Sequence, residues 1–244
     1  MARVIYFLTI YNEAGAIPKV LSSLSSVRLS PGISSFVIHA VDDASTDDTP
    51  RILKGLMSTY PLEVVRYDEN RGVSETFKLG LKHFAKTLSD DDIVILMEAD
   101  GTSDTAVIPA MLRKILEGND LVIASRELRG GRYLGFPWYR ILGSKGINLF
   151  LRTLWRVRGA TDYTIFFRAY RVSLLKKCFT ADFEFHARRS FAANGEILLR
   201  LKKFNPRIAQ VPFVYDYGIK RGPSRMRLVG TLLEYIRLTL RVYL

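Results

Sequence analysis

The chain has 244 residues, 48% hydrophobic and 11% aromatic, which indicates a globular protein with a real core, built as one large domain or two small ones. Its single cysteine, Cys178, excludes an internal disulfide and a cysteine-rich metal cluster, and suits a reducing compartment. The net charge of +12 is uneven: residues 1–125 carry 12 Lys+Arg against 17 Asp+Glu (−5), whereas residues 126–244 carry 24 against 7 (+17), which points the second half toward an anionic partner such as a membrane, nucleic acid or phosphate-bearing substrate.

The opening "MARVIYFLTI" has one basic residue and runs straight into "YNEAG". Without a separate cleavage region it reads as a first strand, not as a signal peptide. A helix is predicted over 14–27, a strand in "SFVIHAV", and a helix over 45–60 that begins with capping-type Ser, Thr and Asp. "LEVVRY" is a short strand. The helix over 73–88 is amphipathic, with Val73, Phe77, Leu81 and Phe84 or Leu88 on one face. "DIVILME", a helix over 105–118 and "DLVIAS" complete a β-α-β order that argues for a parallel, helix-covered sheet. No GxGxxG follows the first strand, which argues against a dinucleotide-binding dehydrogenase.

The second half is less regular. A helix over 136–157 has apolar and basic faces, "DYTIFFRAYR" is strand-like, 172–178 and 190–204 are helical, and 207–215 is a strand. A basic turn at 219–227 leads to an amphipathic helix over 227–244, interrupted by Glu234, Arg237 and Arg241. No run of 18 uncharged apolar residues exists, so no transmembrane helix is predicted.

The chemistry concentrates at strand ends. In "DDIVILMEADGT", residues 91–102, five apolar residues stop at Glu98, Ala99 and Asp100. The two-residue period of a strand points Glu98 and Asp100 to one side. Ligands of open α/β sheets bind beyond the carboxyl ends of the strands. Two like charges there repel unless a cation sits between them, and hard oxygen donors suit Mg²⁺ or Mn²⁺. The plainer alternative is a solvated acidic loop. "YNEAG", "VDDASTDDT" and "SRE" end three further strands, so four polar strand ends can converge on one pocket.

This set resembles the family 2 glycosyltransferases over Tyr6 to about Met226, and within them the dolichol-phosphate mannose synthase and polyprenyl-phosphate branch. The resemblance implies an α/β GT-A fold: a Rossmann-like, mostly parallel sheet flanked by helices, in a domain over 1–225, followed by a C-terminal amphipathic helix over 226–244 that faces a membrane or partner. Tyr11, Asn12 and Glu13 match the motif that contacts the nucleotide, and Asp43 matches the acid that holds base or ribose, with Asp42 beside it. Glu98 and Asp100 match the Asp-x-Asp metal motif; the extra methylene of Glu98 makes Asp100 the better-placed ligand, and Thr102 stands where a Gln ligand is common. Arg126 falls in the donor-phosphate role, and Arg140 with Ser144, four apart on one helical face, falls on the acceptor-phosphate clamp. Asp162 and Arg168 match an Asp-x-x-Ser-Gly-Phe-Arg stretch in which Ile165 and Phe166 replace Ser-Gly, and Arg225 replaces Lys in a Gly-x-Ser-Lys turn.

Asp100, Arg126 and Asp162 are the expected catalytic set. Asp162 is the base-like candidate, against the alternative of a carboxylate paired with an arginine, and Glu196 has the same standing. His39, His83 and His186 show no metal spacing and read as structural. The implied activity is inverting, metal-dependent transfer from a nucleotide-sugar to a polyprenyl phosphate at the cytoplasmic face of a membrane. The membrane surface and a small membrane subunit would be further partners, with no nucleic acid. The alternatives are a family 2 transferase acting on a hydroxyl of a glycan, lipid or protein and, more distantly, a basic nucleic-acid-binding protein, for which the sequence holds no recognised motif.

Overall fold

The computed structural model describes residues 1–180, 186–187, 192–220 and 228–243; the side chains of 180, 228, 242 and 243 also lie outside the description. The first half alternates as predicted: β1 (Ala2–Ile10), α1 (Ile17–Ser25), β2 (Ile33–Asp42), α2 (Thr49–Leu56), β3 (Leu62–Arg66), α3 (Val73–Thr87), β4 (Ile93–Glu98), α4 (Ile108–Leu116) and β5 (Leu121–Ser125). Pro18, Pro50 and Pro109 sit in the first turns of α1, α2 and α4, where the missing N–H needs no partner. The central strands β1, β4 and β5 are near-continuous apolar runs because helices cover both sheet faces, whereas the edge strand β3 carries Glu63 and Arg66 and is largely exposed. Val4 to Leu8 and Ile93 to Met97 are accordingly buried.

The second half comprises β6 (Arg132–Leu134), α5 (Trp138–Trp155), β7 (Arg168–Arg171), α6 (Val172–Thr180), α7 (Ala193–Leu201), β8 (Ile208–Pro212), β9 (Val214–Asp216) and α8 (Leu228–Tyr243). The seven-stranded sheet has the order β3-β2-β1-β4-β7-β5-β8, and β6 pairs with β9 in a second, two-stranded sheet. Three features differ from the sequence expectation. The strand-like run from Asp162 shrinks to β7, because residues before Arg168 wrap buried polar groups; β7 inserts antiparallel between β4 and β5. The strand over 207–215 breaks at Phe213 and serves both sheets. β6 was not expected at all.

Parallel register brings the polar strand ends together. Thr9 of β1 lies opposite Glu98 of β4, and Ile10 lies opposite Asp42 of β2. Gly80 lets α3 lie close on β1, since a Cβ there would meet the Phe7 ring at 2.1 Å. α8 docks on α5 through Trp155 Nε1, which donates to Thr239 Oγ1 at 3.0 Å, and through the buried Tyr235. The tail is therefore seated along one face and is not a detached appendage. Among the described residues, no helix is long and apolar enough to cross a membrane.

Candidate active site

A cavity of about 480 Å³ opens beyond the carboxyl ends of β1, β2 and β4. Its walls bring together Tyr11, Glu13, Asp43, Glu98, Asp100 and Arg126 with Arg140 and Ser144 of α5. Residues more than a hundred positions apart in sequence thus share one space. Arg140, Ser144 and Ile147 face it because 3.6-residue periodicity stacks them along α5. Apolar side chains, among them Ile165, Phe166, Val229 and Leu232, complete the lining. Phe166, standing where the family pattern has Gly, stacks on Phe77 of α3 with ring centroids 4.5 Å apart.

The acidic wall is ordered from below. Asp100 Oδ1 accepts from Thr102 N at 3.0 Å and from Thr102 Oγ1 at 2.5 Å. Thr102, expected as a metal ligand, instead directs its hydroxyl to Asp100 and lies outside the cavity lining. Asp100 Oδ2 accepts from Lys220 Nζ at 2.5 Å. Tyr215 Oη donates to Glu98 Oε2 at 3.4 Å. Burial and the neighbouring Asp100 push the Glu98 carboxyl up to about 7. Burial opposes the charge of Lys220, but Asp100 and Glu98 prevail and hold the ammonium above its ordinary value.

Several expected contacts are committed within the protein. Asp43 reaches the cavity, and its oxygens accept the main-chain N–H groups of Arg71 and Gly72, each at 2.8 Å. Asp42 is buried against Arg66 (2.8 Å) and the Ser45 N–H (2.9 Å), outside the lining, because the strand period turns it away from Asp43. Asn12, with φ of 58°, bonds Thr46 through both ends of its amide and also lies outside the lining. Asp162, expected as a base-like group, is fully buried beneath Arg126: it accepts Arg126 Nε and Nη2 at 2.8 Å each and the Arg126 N–H at 3.1 Å. It fixes the arginine and does not face the cavity. Glu196 is likewise structural, accepting the His186 and Ala187 N–H groups and Arg200. His39 is buried against Glu63 and stacks on His83. Arg225 lies outside the described residues.

The family model described as glycosyl transferase family 2 matches residues 7–179. The chain belongs to that family. A dolichol-phosphate mannosyltransferase from Pyrococcus furiosus is 29% identical over 237 residues, which cover 96% of this chain and 62% of the relative. The chain thus spans less than two thirds of that protein. An undecaprenyl-phosphate mannosyltransferase from Micrococcus luteus is 25% identical over 87% of this chain and 83% of its own length. Among solved structures, glucosyl-3-phosphoglycerate synthase from Mycobacterium tuberculosis with Mn²⁺, UDP and glucosyl-3-phosphoglycerate has a TM-score of 0.62 at 20% identity, over 99% of this chain and 77% of that one. A mannosyltransferase from Pyrobaculum calidifontis with GDP-Man and Mn²⁺ has a TM-score of 0.61 at 18% identity, over 96% and 64%. These likenesses establish the GT-A fold for this family 2 chain.

Three residues of the site escape a sequence reading. Lys220 is one basic residue in a run of them, and its partner lies 120 positions away. Tyr133 and Tyr215 sit on the three-residue strands β6 and β9, too short for alternation to register. Tyr133 supports Arg126 with its ring, 4.9 Å from the guanidinium carbon, and its hydroxyl lies 3.0 Å from Ser144 Oγ while donating to Glu127.

Proposed function

We propose that the chain transfers a sugar from a nucleoside-diphosphate sugar to the phosphate of a polyprenyl lipid at a membrane face. The observation that carries this reading is the opening of Arg140 and Ser144 onto the same cavity as Glu98, Asp100 and Arg126. The space thus joins groups that suit a departing diphosphate with a cation and a hydroxyl on α5 that suit a second phosphate. The names of the relatives, for dolichol and undecaprenyl phosphates, support the same acceptor class.

The residues divide the work by charge. Arg126, locked by Asp162, presents a preorganised guanidinium where negative charge accumulates on the leaving diphosphate. A lipid monophosphate is already an anionic nucleophile near neutral pH, so Arg140 and Ser144 have to position it, and no base has to deprotonate it. That accords with Asp162 being buried in an ion pair. Glu98 and Asp100 are hard oxygen donors on one wall, a set that fits Mg²⁺ or Mn²⁺ when substrate phosphates complete the coordination. No group of three acidic, His or Cys side chains is arranged to hold a metal alone among the described residues. A bound divalent cation would supply further positive charge for the leaving group.

The acceptor would be reached through the outward faces of α5 and α8, where Trp138, Leu142, Leu149 and Val229 are exposed. The test is a panel of nucleotide-sugars with Mn²⁺ or Mg²⁺, with and without polyprenyl phosphate. Lipid-extractable sugar should form only with the phosphorylated lipid, and Arg140→Ala should weaken acceptor use by about 2–5 kcal/mol, as for one partner of a buried charge pair, while sparing nucleotide affinity. Transfer to unphosphorylated hydroxyl acceptors instead would move the chain to the second reading.

A further inference from the structure

Lys220 sits where the metal reading needs a cation. Its Nζ is 2.5 Å from Asp100 Oδ2, and its side chain is 16% exposed. Glu98 and Glu13 add their charge to the same ammonium. The other oxygen of Asp100 already accepts two hydrogen bonds from Thr102, and a carboxylate oxygen has about two lone-pair sites. A divalent ion can therefore take Asp100 only at the oxygen Lys220 now holds. Two cations at contact distance repel strongly in a site of lowered dielectric.

The backbone leading into Lys220, from Asp216, is anchored. Its N–H donates to Tyr217 O at 3.2 Å, and the Gly218 N–H donates to Asp216 Oδ1 at 2.9 Å. The turn lies against Gly135, where a Cβ would come within 2.9 Å of Gly218 N. The Tyr217 ring packs 4.7 Å from Phe136 and lies under Arg140, 5.8 Å from its guanidinium carbon. The long, flexible lysine side chain can leave Asp100 while its turn stays fixed.

We propose that Lys220 is a built-in counter-ion that competes with the divalent metal for the Glu98–Asp100 pair and yields when a nucleoside diphosphate draws its ammonium away. The inference rests on the metal reading above. It makes the bare protein a weak metal binder and makes metal and nucleoside diphosphate bind with positive cooperativity. It also keeps the two carboxylates compensated when no donor is present.

The experiment is calorimetric titration of Mn²⁺ into the wild type, Lys220→Met, Lys220→Arg and Asp100→Ala, each alone and with GDP or UDP. Without nucleotide, Lys220→Met should bind Mn²⁺ about tenfold more tightly than wild type, within the usual range of coupling between two sites. Lys220→Arg should stay close to wild type, because its charge remains. The nucleoside diphosphate should strengthen Mn²⁺ binding more in the wild type than in Lys220→Met. Equal or weaker Mn²⁺ affinity in Lys220→Met overturns the proposal. Should that variant fail to fold, a wild type whose Mn²⁺ affinity is unmoved by either nucleotide overturns it as well. Asp100→Ala separates the two levels: undiminished Mn²⁺ binding there removes the metal reading itself, whereas lost binding there with no gain in Lys220→Met removes only the role of Lys220.

Discussion

Asp162 has no exposed surface, and its partner Arg126 is nearly as deeply placed. Burial alone would raise the pKa of the carboxyl, but the charge and hydrogen bonds of Arg126 hold it below the usual carboxylate range. A depressed folded pKa contributes stability that is complete above the unfolded value near 4 and is lost as pH falls through the lower folded value. Asp162→Ala leaves Arg126 buried without its counter-charge, which should cost about 3–5 kcal/mol by urea denaturation at pH 7. The difference from wild type should narrow as the pH is taken below 4. A loss under about 1 kcal/mol would mean the pair is solvated, as exposed ion pairs are. Cys178 makes a second residue-scale case. It is fully buried, and burial pushes its thiol up to about 12. A thiol reagent at pH 8 should leave it untouched in the native protein and modify it in urea; equal rates in both would contradict the packing.

At the scale of elements, the contact of α3 with β1 depends on Gly80. Phe7, which a new Cβ would strike, is itself held by Phe77 and Phe84, with edge-on ring centroids 6.3 and 5.1 Å away. Gly80→Ala should therefore destabilise by about 1–3 kcal/mol, the usual range for overpacking, despite the higher helix propensity of alanine. A midpoint at or above wild type in thermal melts would show that Phe7 has room to move. The central strands β1, β4 and β5 were legible because helices cover both faces and leave runs such as Ile93–Met97. Their acidic ends were legible for the same reason, since a run that stops on Glu98 and Asp100 marks a strand meeting solvent or ligand. The chain beyond Ser125 was harder to read. β7 returns antiparallel into the middle of the sheet, and that placement depends on Arg168 reaching Asn194 O and Tyr163 O, contacts without a local pattern. Asp162 matched a motif position, but only its hydrogen bonds reveal it as the support of Arg126. Lys220 could not be separated from the neighbouring cations of its segment until the fold placed it on Asp100.

At the scale of the molecule, the charge asymmetry and the exposed apolar faces fall on the same elements. α5 and α8 bury Trp155, Tyr235 and Leu238 between themselves and the domain. They leave Trp138 (74% exposed), Val229 (70%), Leu149 (66%) and Leu142 (64%) outside, beside the exposed Lys145, Arg152, Arg237 and Arg241. The aromatics of these helices thus serve two ends, with Trp155 and Tyr235 in the core and Trp138 and Tyr139 facing out. Apolar side chains flanked by basic ones suit the headgroup boundary of a bilayer. Each basic residue near an anionic surface contributes on the order of 1 kcal/mol, screened by salt. The protein should sediment with anionic vesicles at low salt and less with neutral ones. Because Tyr235 and Thr239 hold α8 to the core, removing the whole helix would confound docking with unfolding. Leu142→Glu with Leu149→Glu, about two turns apart on one face of α5, is the cleaner change. Loss of two inserting leucines should lower vesicle partition roughly a hundredfold or more, given about 1.5–3 kcal/mol for each fully buried leucine. Nucleotide affinity should not move, because neither side chain lines the cavity. If the unaltered protein ignores anionic vesicles even at low salt, these faces serve an obligatory protein partner or a soluble acceptor, and the lipid-facing reading falls.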